Sequence, residues 1–144
     1  MIHGIDTGFL VAAEVLEHPN HLSARQCFFE LRAAGDSFAL VPQVLAEFIH
    51  VVTDPKRFRS PLPMDEALER AEAWWRSPEI IGFFEGGASV ATFFQWMHRH
   101  RLGRKRILDT KLAAVFREAG IASVLTTNPS DFRNLGGFSV ITPS

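Results

Sequence analysis

Asp6, Glu47, Asp109 and Asp131 are the side chains whose type and placement could do chemistry together. Asp6 directly follows the apolar run Ile2–Ile5, and Asp131 follows the run Ala122–Thr126. Glu47 lies beside the apolar stripe Val44, Leu45, Phe48, Ile49 and Val52 of a helical pattern. Asp109 opens a helix that Ile107, Leu108 and Leu112–Phe116 should bury, so a solvated role suits it poorly. Each acid also has a plain structural reading. Asp6 suits a helix N-cap, although Thr7 could cap equally well. Glu47 could simply be solvated. Asp109 could favour the helix dipole or pair with Lys105 or Arg106. Asn128-Pro129-Ser130-Asp131 has the order of a capping box with proline at the first helical position. Four carboxylates on one rim would repel one another and could not all ionise cheaply. Hard divalent cations remove that penalty, and oxygen-only ligands favour Mg²⁺ or Mn²⁺ over zinc. Such a site can activate water and stabilise the leaving oxygen of a phosphodiester.

Positioning the acids on one rim requires strands that end together. The spacing predicts strands over Ile2–Ile5, Ser37–Val41, Ile80–Phe84, Ala122–Thr126 and Phe138–Ile141. Between them run helical patterns from about Thr7, over Pro19–Ala34, Pro42 to about Val52, Met64–Arg76, Ala88–Arg101 and Ile107–Ala119. Leu22, Cys27, Phe28 and Leu31 are the apolar positions of the second of these, which should stop at Gly35; the last should stop at Gly120. Strands alternating with helices imply an α/β fold, a parallel sheet with helices on both faces. Ligands in such sheets bind beyond the carboxyl ends of the strands.

With 144 residues, 47% of them hydrophobic and 13 of them Phe, the chain suits one domain, 1–144, with a substantial core. Cys27 is the one cysteine, so no internal disulfide can form; a reducing, cytoplasmic setting is expected. No apolar run is long enough to span a membrane, and the N-terminal residues lack the pattern of a secretory signal. The net charge of −1 lacks the basic excess of a dedicated nucleic-acid binder, but bound cations would make that excess unnecessary. The local exception is Arg99, Arg101, Arg104, Lys105 and Arg106, a cationic connection leading to Asp109, either a solvated turn or a phosphate-contacting rim. His18 with His21, and His98 with His100, lack partners at zinc spacing. Walker, dinucleotide-binding and hydrolase-elbow motifs are absent.

Four segments in order resemble the PIN-domain ribonucleases, and among them the VapC-type toxins of toxin–antitoxin pairs. They are Ile5-Asp6-Thr7-Gly8-Phe9-Leu10, Gln43–Phe48, Ile107–Ala114 and Leu125–Phe132, with Gly137–Pro143 similar to the family's final strand. His18-Pro19 with His21, and Asp54-Pro55 with Pro61-Leu62-Pro63, resemble one bacterial subgroup. The resemblance implies a PIN-like three-layer domain with a five-stranded parallel sheet. It also implies a metal-dependent endoribonuclease, with Mg²⁺ (Mn²⁺ as substitute) held by Asp6, Glu47, Asp109 and a fourth position. Where many relatives carry an acid, this chain has Asn128, so the fourth role falls to Asp131, with Thr7 and Asn128 as supporting groups. Further implications are an RNA substrate, often structured RNA such as tRNA, a cognate antitoxin and a homodimer. Two rivals stand beside this reading. An Asp6-based phosphatase usually needs a second acid two residues on, where Gly8 stands. A non-catalytic PIN-like module binding RNA or a partner would not need all four acids.

Overall fold

In a computed structural model describing residues 1–143, the apolar run Ile2–Ile5 forms β1, the middle strand of a five-stranded parallel sheet. On one side β1 pairs with β2 (Ser37–Leu40), which pairs in turn with β3 (Ile80–Gly82). On the other side it pairs with β4 (Ser123–Leu125), which pairs with β5 (Ser139–Ile141). The order is therefore β3-β2-β1-β4-β5. Between the strands lie α1 (Thr7–Glu14), α2 (His21–Ala33), α3 (Pro42–Val52), α4 (Met64–Arg76), α5 (Gly87–Arg99), α6 (Ile107–Glu118) and the short α7 (Ser130–Arg133). The result is a three-layer α/β fold. Chain connections leave β1 toward β2 on one side and arrive at β4 on the other, so the sheet's direction switches between β1 and β4. Open parallel sheets form their ligand crevice at such a switch, at the carboxyl ends of the strands.

Burial explains why these elements form. Ile5, Leu40, Val124 and Leu125 of the strands are fully buried with Phe9, Leu10, Phe48, Leu112 and Phe116 of the helices. Pro42 starts α3 at its first helical position, as expected. Gly35 and Gly120 follow α2 and α6 in left-handed conformations (φ +89° and +75°), which suits their role as helix stops.

The structure corrects several local expectations. β3 ends at Gly82 rather than Phe84: it is an edge strand, and after Phe83 N–H donates to Leu40 O the chain departs. The second helix starts at His21, not Pro19, and Leu22 is 81% exposed rather than part of the core. Ile107 and Leu108 are also exposed; α6 is buried only from Thr110 onward. The capping box at Asn128 does not form. Asn128 N–H instead donates to Thr126 Oγ1, and Asp131 turns away toward Arg106.

Candidate active site

Asp6 sits where β1 ends, its N–H still donating to Leu125 O of β4 at 3.0 Å. It is the N-cap of α1 after all, and Oδ1 accepts Thr7 N–H at 2.8 Å. Oδ2 accepts the Thr126 hydroxyl at 2.7 Å. That hydroxyl is fully buried and also accepts Asn128 N–H at 2.9 Å, so its single proton is committed to Asp6. Burial pushes the Asp6 carboxyl up to about 6; its two hydrogen bonds oppose the rise, and the charges of Asp131 and Glu47 add to it.

Glu47, in the second turn of α3, accepts the Thr7 hydroxyl at 2.8 Å. Gln43, one turn earlier, reaches Glu47 at 3.4 Å and donates to Leu108 O at 2.9 Å, tying α3 to the start of α6. Thr7 therefore spends its backbone N–H on Asp6 and its hydroxyl on Glu47, holding two acids at once. Gly8 permits this closeness: a Cβ there would lie 2.6 Å from Thr127 Oγ1.

Asp109 enters from the first turn of α6. Its carboxyl is pushed up to about 7, first by burial, then by the negative charges of Asp6 and Asp131, by a hydrogen bond to Asp131 that favours the protonated form, and by Glu47. Asp131, from α7, faces Arg106, with Nε and Oδ1 3.5 Å apart. Arg106 Nη2 donates to Asp131 O at 2.6 Å. Four acids from four elements thus share one electrostatic neighbourhood at the β1–β4 crevice.

The other candidates divide. Asn128 is exposed, and its amide oxygen accepts the Ser130 hydroxyl at 3.4 Å. Arg99, Arg101, Arg104 and Lys105 are exposed on the connection between α5 and α6. Arg106 is not: its head is turned inward onto α7. Two supporting residues escape a reading of the sequence. Thr126 has a signal there, since a hydroxyl ending the strand next to β1 must lie beside Asp6. Gln43 has none.

Among the described residues no three His, Cys, Asp or Glu side chains are already drawn together at metal-holding distances. The donor chemistry nonetheless fits a hard divalent cation. All four candidate ligands are carboxylates, and two of them have protonation raised by burial and mutual repulsion. Among the described residues, Arg106 supplies the one cation paired with them.

No family model matches the chain. It is similar to ribonuclease VapC31 of Mycobacterium tuberculosis, 36% identical over 77 residues that cover 54% of this chain and 54% of that protein. The chain thus spans about half the length of that curated relative. Ribonuclease VapC24 of the same organism is 26% identical over 132 residues, covering 92% of this chain and 90% of that protein. Among solved structures it is similar to VapC20 of M. tuberculosis, described as a sarcin–ricin loop cleaving toxin. The TM-score is 0.74 at 20% identity, over 99% of this chain and 100% of that one. It is also similar to a chain of the VapBC2 complex of Rickettsia felis bound to promoter DNA, with TM-score 0.71, 17% identity and full coverage of both. In fold the chain is thus similar to these solved toxins, a three-layer α/β domain around a five-stranded parallel sheet. In sequence it is similar to proteins named ribonuclease VapC.

Proposed function

We propose that the chain is a VapC-type endoribonuclease dependent on Mg²⁺, with Mn²⁺ as substitute. The observation that carries this is the convergence of Asp6, Glu47, Asp109 and Asp131 from four elements on the β1–β4 crevice, with Asp6 and Asp109 pushed up to about 6 and 7. These four residues would hold the cation, which supplies Lewis acidity, lowers the pKa of water and offsets charge on the leaving oxygen. The chain's own groups do the positioning. Thr126 and Thr7 N–H clamp both oxygens of Asp6, and the Thr7 hydroxyl orients Glu47. Asp6 is thereby poorly placed as a covalent nucleophile, which disfavours the phosphatase rival.

The substrate in this reading is RNA, structured RNA such as tRNA included. The partner is an antitoxin encoded with the toxin, a homodimer is the expected assembly, and the setting is cytoplasmic. Similarity to chains solved in toxin–antitoxin complexes supports the partner. The test is cleavage of total RNA by the purified chain in Mg²⁺, Mn²⁺ or chelator, followed by sequencing of the new ends. Asp6→Asn and Asp109→Asn should each abolish cutting while the fold melts cooperatively. Wild-type cutting by both variants would sink the proposal, and calorimetric titration with Mg²⁺ should show a site that each variant weakens.

A further inference from the structure

Two sequence features that the carboxylate site does not use meet in space. His18 lies in the turn after α1, and Asp54 opens the loop 53–63 after α3. The two segments meet at a groove of about 460 Å³, to which the turn gives His18, the loop gives Arg57 and Phe58, and α1 and α3 give Thr7, Val11 and Val51. That size suits a ligand of nucleotide dimensions. It borders the acids: Thr7, in its lining, holds Glu47 through its hydroxyl, and Val51 is one turn beyond Glu47 on α3.

The loop is built rather than loose. Asp54 Oδ1 accepts Lys56 N–H at 2.8 Å, and its carbonyl accepts the N–H groups of Arg57 and Phe58 at 3.2 and 3.3 Å. Glu17 accepts the N–H groups of Arg59 and Ser60 at 3.1 and 3.0 Å, fastening the loop to the end of α1. Phe58 packs partly on the core while lining the groove. Arg57 is the cation that lines the groove, 3.6 Å from Asp54; Lys56 and Arg59 are exposed on the same loop, where with Arg57 they outnumber Asp54 and the attached Glu17 by three to two. His18 Nδ1 accepts Asn20 N–H at 3.0 Å, so the neutral ring carries its proton on Nε2. Burial and neighbouring His21 hold that ring below its ordinary pKa, which favours this neutral form.

We propose that this groove is a nucleotide subsite of the RNA substrate, with a base against the Phe58 ring, a phosphate on Arg57 and a hydrogen bond from His18 Nε2. This rests on the ribonuclease reading and adds to it where the strand lies relative to the acids. An aromatic face, a cation and a donor beside a carboxylate rim are the components of sequence-tolerant single-strand binding. A peptide is the competing occupant, and the charge on the loop favours the polyanion.

The test uses the full chain carrying Asp109→Asn, in Ca²⁺, with a short fluorescent single-stranded RNA of mixed sequence. Phe58→Leu keeps the apolar fill but removes the ring, and should weaken binding on the order of tenfold. Phe58→Trp should restore it. Arg57→Ala should lower the slope of log K against log salt by about 0.7. The rise in melting temperature on adding Mg²⁺ to the otherwise wild-type chain should survive both Phe58→Leu and Arg57→Ala. If RNA is bound and cut by the parent chains but Phe58→Leu and Arg57→Ala bind it unchanged, the subsite falls and the nuclease stands. If the wild type neither cuts nor Asp109→Asn binds RNA, both fall. Unchanged RNA affinity with lost neutralisation by the protein encoded beside this chain would assign the groove to a peptide and overturn the proposal.

Discussion

Thr126 has one hydroxyl proton, and its destination decides how Asp6 is held. The hydroxyl is buried between Asn128 N–H, which it accepts, and Asp6 Oδ2, to which it donates. Thr126→Val keeps the shape but leaves both partners unsatisfied. A buried polar group left without its partner costs about 1–3 kcal/mol. We therefore expect Thr126→Val to melt earlier by that amount in a denaturant titration and to cut RNA poorly, whereas Thr126→Ser should stay near wild type on both measures. A Ser variant that loses stability and activity beside a Val variant that keeps both would show that the methyl group, not the hydroxyl, matters. The sequence offered Asp6 both as the cap of α1 and as a candidate ligand, with Thr7 as an equal candidate for the cap; the structure shows that Asp6 is the cap. A capping residue and a candidate ligand have the same sequence signature, because both are acids at a strand-to-helix junction.

Elements place the acids more firmly than any residue pattern could. The alternation of strands and helices was readable because β1, β2 and β4 are short apolar runs with both faces covered, and Pro42, Gly35 and Gly120 punctuate the helices between them. Edges read less well. β3 has one partner strand and stops early, and the first turn of α6 leaves Ile107 and Leu108 exposed, so apolar residues there do not report burial. The basic connection shows the same limit. Five cations in Arg99–Arg106 look alike in sequence, yet Arg106 is pulled onto α7 by Asp131, a tertiary pairing no local pattern encodes. Mutations should separate the two groups. Arg104→Ala/Lys105→Ala should lower the salt slope of RNA binding by about 0.7 for each phosphate no longer neutralised, with the fold unaffected. Arg106→Ala should instead destabilise the chain, because Asp131 loses its counter-ion beside three other acids. The readouts are RNA affinity across a salt series in an Asp6→Asn background with Ca²⁺, and the melting temperature. An unchanged slope in the double variant would return the exposed cations to a solvated turn.

At the scale of the whole molecule, the carboxylate rim costs stability that a cation can return. Asp6 and Asp109 are pushed up to about 6 and 7, so between the ordinary carboxylate range and about pH 7 the folded chain holds more protons than the unfolded chain. The contribution of these two acids to the stability of the metal-free protein then falls as pH rises through that window and levels off above it, with half-buried His18, held below its ordinary value, working the other way. A second cluster opposes this at lower pH. Asp36 accepts from buried His3, which also bonds Ser123 at 2.7 Å, and from the amino group of Met1; these hold the Asp36 carboxyl below its usual value. A depressed acid contributes stability that is present above the ordinary range and lost as pH falls through its folded value. The metal-free chain should therefore be most stable on the acid side of neutrality, not at pH 7–8. Asp109→Asn should raise the melting temperature in chelator at pH 8 and flatten the pH dependence. The gain should be on the order of 1–2 kcal/mol, since solvent screens a partly exposed carboxylate. Mg²⁺ should raise the wild-type melting temperature at pH 8 by mass action on the folded state, and raise it less at pH 5, where protons occupy the same oxygens. Thermal melts from pH 4 to 8, with chelator and with Mg²⁺, measure all of this. A wild-type chain that grows steadily more stable from pH 5 to 8 in chelator, or an Asp109→Asn chain with the wild-type slope, would mean that the four acids do not burden the fold as a group.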